Sequence, residues 1–391
     1  MRRLAIISTL VCFLIGALVL GVICLRVQNR TAPAFVGVDT DTIRGAFHVH
    51  SKTSHDGKLS IDQIAIAARQ ADIDFVILTD HNIAPQPPVI QRGVLFLKFS
   101  EWSTAFGHVI QLAGNPLAKE DKTSLGVLKT IENNNGQAIL AHPFDMKRPW
   151  VGPWQGLAGL EIINSASTLR RLLKENLLKI VPMLAGFFLN QDLAWGQLYT
   201  PNTRALKRWQ SEAQSLPLGL CGVDLHGWID AKKNLNLWNL ILPGPLPENI
   251  DKQAQYILEK ITHGSFYCSS AQNNQPIQLH TEIIDSQGTP FNNNSRQPLE
   301  NPQALNIHLQ NKNAEALRIV LYRNGQRLLA QPGPTLSYQR PGPGIYRVEI
   351  ETDYPKLLEG HYRATLAYSN LFNIIPSQLE PQPEADAEAN E

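Results

Sequence analysis

Cysteine is scarce in this sequence of 391 residues, and neither sign of charge is in excess. The 4 cysteines are too few for a disulfide scaffold, and none of them forms a CxxC pair. The 35 basic and 34 acidic residues nearly cancel, which leaves a formal net charge of +1. This balance disfavours a protein that binds nucleic acid through bulk positive charge, although it is compatible with a local basic patch.

A long apolar run occupies the N-terminus. The segment Leu4–Leu25 contains no charged residue, and as a helix its 22 residues are long enough to cross a bilayer. The apolar region of a secretory signal is usually only about 7–15 residues long. We therefore interpret the run as a retained anchor, with cleavage after Ala34 as the alternative. Arg2 and Arg3 favour a cytoplasmic N-terminus, which would place most of the chain outside the cytoplasm on a single-pass anchor.

The length of the chain allows about two domains. The tail is acidic, rich in proline and poor in apolar residues, a composition typical of disorder. Cys221 and Cys268 lie in the globular part, and the sequence leaves open whether they are bridged. The expected divisions are a transmembrane anchor over 1–26, a tether over 27–42, an α/β domain over 43–274, a β-domain over 275–375 and a disordered acidic tail over 376–391.

Short apolar runs alternate with helical periodicity in the first domain. Strands that alternate with helices predict a parallel α/β sheet or barrel. The strand candidates are IRGAFHVH, DFVILTDH, VLFLKFSE, HVIQLAG, QAILAHP, LAGLEIIN and LGLCGVDLH. The helix candidates are Ser60–Gln70, with a capping box between Ser60 and Gln63, Ser167–Ile180, Thr203–Ala213 and Ile250–Thr262.

The pattern changes near Gln275. Helical periodicity fades, and alternating runs such as ALRIVLYRNGQRLLA and GIYRVEIETDY follow. The dipeptide Asn324-Gly325 between two such runs predicts a two-residue hairpin turn. We therefore expect a small antiparallel, sandwich-like β-domain after the α/β domain.

Two histidines stand one residue apart in the first strand candidate. His48 and His50 would share one face of a strand, where two imidazoles repel each other when both are charged. Most of the other strand candidates also carry a histidine or a carboxylate at or next to one end. Because the carboxyl ends of parallel strands share one rim, we expect these side chains to meet there. The candidate metal ligands are His48, His50, Asp56, His81, Glu101, His108, His142, Asp224 and His226.

Imidazoles and carboxylates together form sites for divalent transition metals. A shared cation would turn two mutually repelling imidazoles into co-ligands. Six histidines and three carboxylates exceed the needs of one ion, so two or three ions per chain are expected. Clustered ions lower the pKa of a bridging water and hold the oxygens of a phosphoryl or acyl centre.

The motifs RGAFHVHSKTSHDG, LTDHN, SEWSTAFGH, LAHPF and GVDLHG resemble those of the PHP (polymerase and histidinol phosphatase) family of metal-dependent hydrolases. The resemblance covers about 44–270 and all nine ligand positions. It implies a distorted (β/α)7 barrel, two or three manganese, iron or zinc ions, and phosphoester hydrolysis by a metal-bound hydroxide. The stretch SEWSTAFGHVIQLAG resembles the CehA/McbA-like branch, some members of which act on carbamate or amide bonds instead.

Four residues near the motifs have further interpretations. His55 departs from the family pattern and would be a metal neighbour or a proton donor to the leaving group, or else an exposed turn residue. Asp80 is expected to orient an imidazole, and with His55 it is a candidate catalytic residue. Lys147 and Arg148 would hold a phosphate or form a solvated basic pair.

Three functions remain open at this point. The first is a membrane-anchored phosphoesterase that acts on a small-molecule (phospho)ester. The second hydrolyses carbamate, amide or carboxylic ester bonds at the same site, because metal-assisted hydrolysis serves both kinds of bond. The third is a metal-binding scaffold without catalysis. A nucleic-acid exonuclease is disfavoured by the neutral charge and the predicted anchor.

Overall fold

A computed structural model describes residues 2–37, 41–115, 117, 126–175, 180–200, 202–213, 217–227, 230–272, 274–285, 287–292 and 299–375. The predicted acidic tail, 376–391, lies outside these residues. The chain is a mixed α/β protein with a closed seven-stranded barrel, additional strands and an N-terminal apolar helix.

The predicted helices that begin near Ser60, Thr203 and Ile250 are confirmed. The Ser60 side chain accepts a hydrogen bond from the Gln63 backbone N–H, and the Gln63 side chain accepts one from the Ser60 backbone N–H, which completes the predicted capping box. The described residues form the helices α1 (Arg2–Gln28), α2 (Ile61–Gln70), α3 (Gly126–Asn133), α4 (Ser165–Glu175), α5 (Ile180–Leu189), α6 (Gln191–Gly196), α7 (Thr203–Ser211), α8 (Ala231–Leu235) and α9 (Ile250–Thr262).

The predicted helix over Ser167–Ile180 is only partly matched. Helix α4 begins two residues earlier and ends at Glu175, α5 begins at Ile180, and residues 176–179 between them lie outside the described part of the chain. Helix α5 was not predicted as a separate helix, because it is apolar on nearly every side and shows no clear helical period. The short helix α6 was not predicted either.

All seven strand candidates are confirmed, and they are the seven strands of the barrel. The strands of this part of the chain are β1 (Val36–Gly37), β2 (Thr42–Val49), β3 (Phe75–His81), β4 (Gln86–Gln91), β5 (Val94–Thr104), β6 (Gly107–Leu112), β7 (Gln137–Leu140), β8 (Gly159–Asn164), β9 (Leu218–Leu225), β10 (Asn239–Pro243), β11 (Tyr267–Ser269) and β12 (Ala271–Gln272).

The barrel order is β2-β3-β5-β6-β7-β8-β9, and β9 pairs back with β2 to close it. Every pairing around the barrel is parallel except β5–β6 and β6–β7, so that β6 runs against its neighbours. Strands β3 and β9 are buried along their whole length. Near-continuous apolar runs are typical of parallel strands that are covered on both faces.

The later strands extend the same sheet and form a second one. The strands are β13 (Gln275–Pro276), β14 (Leu279–Ile284), β15 (Pro290–Asn292), β16 (Leu299–Glu300), β17 (Ala304–Leu309), β18 (Asn311–Lys312), β19 (Arg318–Arg323), β20 (Gln326–Pro332), β21 (Thr335–Gln339), β22 (Gly344–Pro355), β23 (His361–Ser369) and β24 (Phe372–Ile375). From β2 the sheet continues through β10 and β11 to β23 and β22, while β15, β14, β17 and β21 form a separate four-stranded sheet.

The predicted hairpin turn is confirmed. Strands β19 and β20 pair in antiparallel fashion up to Arg323 and Gln326, with Asn324 and Gly325 between them. Both turn residues have positive φ, at 49° and 79°, as the favoured two-residue turns require.

The structure answers the open question about two cysteines: Cys221 in β9 and Cys268 in β11 form a disulfide. It links the barrel to the strand that continues the sheet toward the C-terminal part. Both cysteines are buried, and the bond closes a loop with a sequence separation of 47.

Replacing Cys268 with alanine should lower the free energy of unfolding by about 2–4 kcal/mol, because the unfolded chain regains the freedom that the cross-link removes. Denaturant titration of the full chain in detergent measures the change. Cys12→Ser, at an exposed free cysteine of α1, is the control and should leave the midpoint unchanged. Equal midpoints for the two variants would show that the disulfide does not contribute.

Candidate metal centre

The predicted ligands converge at one rim of the barrel. His81 ends β3, Glu101 lies in β5, and Asp224 lies near the end of β9. His108 stands at the start of β6, but β6 is antiparallel, so its start lies beside the end of β5, where His108 pairs with Ser103. The reversed strand therefore contributes to the same rim as the parallel ones.

Donor atoms from these residues form four compact groups. Within each group the atoms lie within 4.8 Å of one another. All nine predicted ligands belong to at least one group, and the groups contain no other residue among the described part of the chain. The groups are His50, Asp56, His81 and His226; His48, His50 and Glu101; His48, His142 and Asp224; and His81, Glu101 and His108.

Glu101 occupies the middle of the cluster. Its Oε2 lies 3.0 Å from Nε2 of His48, 3.2 Å from Nε2 of His50 and 3.5 Å from Nδ1 of His81. Its Oε1 lies 2.7 Å from Nδ1 of His108 and 3.1 Å from Nε2 of His142. Because the two oxygens face different imidazoles, this carboxylate is placed to be shared between two ions.

Asp56 and Asp224 are the other two carboxylates among the predicted ligands. Oδ2 of Asp56 lies 3.0 Å from Nε2 of His226 and 3.2 Å from Nε2 of His81, and Oδ1 accepts a hydrogen bond from the Ser54 hydroxyl. Oδ1 of Asp224 lies within 3.6 Å of His48, His50 and His226. The side chains of Asp56 and His226 are 29% and 20% exposed, so the cluster opens to solvent on their side.

His48 and His50 do not meet by simple alternation of side chains along a strand. The pairing of β2 with β3 and β9 shifts register between Phe47 and Val49, and His48 has a φ of 66°. Its Nε2 nevertheless lies 3.1 Å from Nε2 of His50. A β-bulge re-aims the His48 side chain, as bulges often do beside active sites.

Opposite charges compensate one another inside the cluster. Burial alone would raise the pKa of Glu101, but attraction to His48 and hydrogen bonds from His108 and His142 hold that pKa well below its usual range. Burial would likewise lower the pKa of His50, but hydrogen bonds with Asp224 and Glu101 raise it to about 9. The pKa values of His48 and His142 are raised in the same way by nearby carboxylates, whereas burial lowers the pKa of His108. Without a metal, protons on His48, His50 and His142 therefore balance the carboxylates.

The donor set fits divalent transition metals. Its atoms are imidazole nitrogens and carboxylate oxygens, the ligands that zinc, iron and manganese take in proteins. Nε2 of His48 and Nε2 of His50 face each other at 3.1 Å, and Nδ1 of His81 is buried without a hydrogen-bond partner among the described residues. A cation would satisfy these nitrogens, so the buried groups could hold a metal ion.

Glu161 is a buried carboxylate that the sequence prediction missed. Its Oε1 lies 2.7 Å from Nδ1 of His48, and its Oε2 accepts hydrogen bonds from the His142 backbone N–H and the Asn164 amide. A Cβ at Gly222 would collide with Oε1, so this glycine leaves room for the carboxylate. A single glutamate inside the buried strand GLEIIN was the available signal.

Among the described residues the Asp80 carboxylate contacts Ser51, whereas the sequence predicted that it orients an imidazole. Its Oδ1 accepts a hydrogen bond from the Ser51 backbone N–H and its Oδ2 accepts one from the Ser51 hydroxyl, at 2.6 and 2.7 Å. Neighbouring residues on a strand point to opposite sides, so Asp80 points away from the side on which His81 joins the cluster. It positions the loop that follows His50.

The remaining candidates lie at the edge of the cluster. His55 is exposed, and its ring centroid lies 5.1 Å from that of His81. The Arg148 guanidinium lies 3.2 Å from Nε2 of His108, and the Lys147 and Arg148 backbone N–H groups donate to the buried Asp145. Burial would raise the pKa of Asp145, but a hydrogen bond from Ser167 and the charge of Arg170 lower it to about 2.

Comparison with known proteins adds no identification. No protein-family model matches the chain, and no curated protein matches it. The site is therefore interpreted from its own geometry.

The raised pKa of His50 predicts how pH acts on the metal-free protein. Its contribution to stability is present below pH 6.5 and is lost as pH rises through about 9. The contribution of His50 to the unfolding free energy of chelator-treated protein should therefore fall by roughly 3 kcal/mol over this range, so the total fall should be smaller in His50→Gln. Urea titrations at several pH values test this, with His361→Gln, an exposed histidine, as the control. An equal pH dependence of the unfolding free energy in His50→Gln and His361→Gln would contradict this prediction.

Glu161→Gln should weaken metal binding by about 10- to 100-fold, because His48 loses the carboxylate that fixes its ring. Competition with a chromogenic chelator, followed by elemental analysis of the protein, measures the affinity. Glu300→Gln, at an exposed residue, should bind as the unchanged chain does. If Glu161→Gln binds metal as tightly as the unchanged chain, Glu161 does not orient the His48 ring.

Proposed function

We propose that this protein is a metal-dependent hydrolase of phosphoesters of the PHP type. The observation that supports the proposal is the position of Glu101, whose two buried oxygens face five imidazoles at one barrel rim. Active sites of parallel α/β barrels lie at the carboxyl ends of the strands. A cluster of this size at that rim is suited to hydrolysis rather than to structural metal binding, because Asp56 and His226 leave it open to solvent.

Each member of the cluster has a definite role in the proposal. When bound, two or three manganese, iron or zinc ions would supply positive charge for substrate oxygens and acidity for a water molecule. Both oxygens of Glu101 would be available to hold the ions, and Glu161 fixes the ring of His48. Ser54 holds Asp56 in place by donating to its Oδ1 at 2.6 Å. The nine ligands named above hold the ions.

Positive groups at the rim favour an anionic substrate. The exposed Arg148 reaches His108, whereas the charge of Arg170, which also lies near Asp224, is paired with Asp145 at 2.8 Å. Guanidinium groups bind phosphate oxygens through paired hydrogen bonds. A neutral carbamate or amide gains little from them, so the phosphoester is the preferred substrate class. We expect a small-molecule substrate rather than a nucleic acid, because the chain has no excess of positive charge.

His55 is the proposed proton donor to the leaving group. It is exposed beside His81, so its ring N–H can reach a substrate oxygen at the rim without crossing the ligand set. The loop that carries it is anchored by Ser51 on Asp80. Asp80 thus acts as a positioning residue for this loop.

The proposed location is the extracytoplasmic face of a membrane, on a single-pass anchor. The segment Thr9–Gln28 of α1 is long and apolar enough to cross a bilayer, a test that a signal sequence also passes. The disulfide between Cys221 and Cys268 supports an oxidising compartment.

Arg148→Ala should lower kcat/KM for p-nitrophenyl phosphate by about 10- to 100-fold, since the substrate loses a charge-assisted hydrogen bond worth about 1.5–3 kcal/mol. The full chain, loaded with manganese or zinc, is assayed against p-nitrophenyl phosphate, bis-p-nitrophenyl phosphate and an aryl carbamate. Arg340→Ala, at an exposed arginine of the C-terminal part, is the matched control.

Two outcomes would count against the proposal. Hydrolysis of the carbamate without hydrolysis of either phosphate ester would favour the second function of the sequence analysis. A chain that binds metal but is inactive on every substrate, with His108→Ala no different from the unchanged protein in cells, would favour a scaffold.

A further inference from the structure

A cavity of about 630 Å³ lies away from the metal ligands, between α4, α5 and the turn that joins β22 to β23. One part of its wall is apolar and another carries positive charge. Its principal lining residues are Arg171, Leu172, Met183, Lys356, Leu357 and Tyr362. Such a combination is suited to a molecule with an anionic head and an apolar body.

Basic residues contribute to the wall of this cavity. Nη2 of Arg171 is buried and has no hydrogen-bond partner in the described part of the chain. An unpaired buried donor is unfavourable, and an anionic oxygen is the partner that stabilises a guanidinium most strongly. Lys356 lines the same cavity and is exposed. The acidic Glu359 also lines it, but its carboxylate lies 3.7 Å from Arg26 of α1.

The end of α1 is fastened beside this cavity. The Arg30 guanidinium donates to the backbone oxygens of Leu358 and Gly360. The Asn190 amide donates to the backbone oxygens of Val27 and Arg30, and Val27 is fully buried. If α1 crosses a bilayer up to about Gln28, these contacts place the cavity at the membrane surface.

Helix α5 presents apolar side chains next to α1. The two helices pack against each other, while Val181, Leu184 and Phe188 of α5 are exposed, Phe188 by 85%. Their spacing of three and four residues puts them on one side of the helix. Exposed apolar side chains beside a membrane helix are typical of an element that dips into the lipid interface.

We propose that this cavity binds an anionic phospholipid of the membrane in which α1 is anchored. The phosphate interacts with Arg171 and Lys356, and the acyl chains lie over Leu172 and Met183 toward the exposed side of α5. The inference rests on retention of α1, which belongs to the proposed function, but it does not depend on the hydrolase activity.

The test uses the full chain purified in mild detergent, with its intact mass confirming that the N-terminal helix is retained. Native mass spectrometry counts phosphatidylglycerol and phosphatidylcholine molecules bound as each lipid is titrated. Phosphatidylglycerol should bind better, and Arg171→Gln combined with Lys356→Gln should weaken its binding by about tenfold or more, as expected for lost charge-assisted hydrogen bonds. Arg340→Gln is the control and should bind as the unchanged chain does.

An additional variant, a competition experiment and an activity assay separate the possible outcomes. Met183→Trp, which fills the apolar part, should reduce binding of both lipids. Equal retention of phosphatidylglycerol by the double variant and the unchanged chain would overturn the proposal, as would equal competition by inorganic phosphate, which would indicate a site for the free anion. Loss of the N-terminal helix from the mature chain would overturn it as well. Hydrolysis of p-nitrophenyl phosphate by the same samples reports separately on the proposed function and should persist in the double variant.

Discussion

The buried carboxylate of Glu101 imposes the constraint on which the site depends. A charged group in the protein interior is unfavourable unless opposite charges and hydrogen bonds surround it. Here the compensating groups are five imidazoles, namely those of His48 in β2, His50 directly after β2, His81 in β3, His108 in β6 and His142 after β7. In the closed barrel these elements meet around one carboxylate.

The closing seam of the barrel is also where the backbone is irregular. Strand β2 skips His48 in its pairing with β9, and β9 skips two residues that include Asp224. His48 and Asp224 at this seam have φ values of 66° and 53°, and His142 after β7 has a φ of 31°, in a region that residues other than glycine rarely adopt. Backbone strain of this kind persists where surrounding contacts determine it, and it concentrates at functional sites. The contacts here are the ion pairs with Glu101, Glu161 and Asp224.

Local patterns in the sequence were sufficient for the strands and for the set of side chains that meet at the barrel rim. The seven barrel strands are apolar runs with abrupt polar ends, and the rule that parallel strands share a rim brought distant residues to one place. Sequence could not show Glu161, because one charged residue in a buried strand has the same local pattern whether it orients a histidine or pairs elsewhere. It could not show the bulge at His48 either, since a bulge depends on the partner strand.

Other features escaped prediction for the same reason, namely that they depend on tertiary contacts. Asp80 contacts Ser51 because the loop after β2 passes over the end of β3. Strands β10 and β11 are short, and they are recognisable only by their pairing with β2 and β23. Helix α5 lacks a polar face, which is understandable for an element that packs on α1 on one side and exposes apolar groups on another.

A continuous path connects the N-terminal helix with the metal ligands. Arg30 binds the turn between β22 and β23, β23 pairs with β11, and the disulfide joins β11 to β9, which carries Asp224. Each step is a backbone ladder, a buried disulfide or a pair of hydrogen bonds rather than a flexible linker. The orientation of the barrel rim relative to α1 is therefore fixed by the fold. If α1 is anchored in a bilayer, the opening beside Asp56 and His226 keeps one orientation relative to that bilayer.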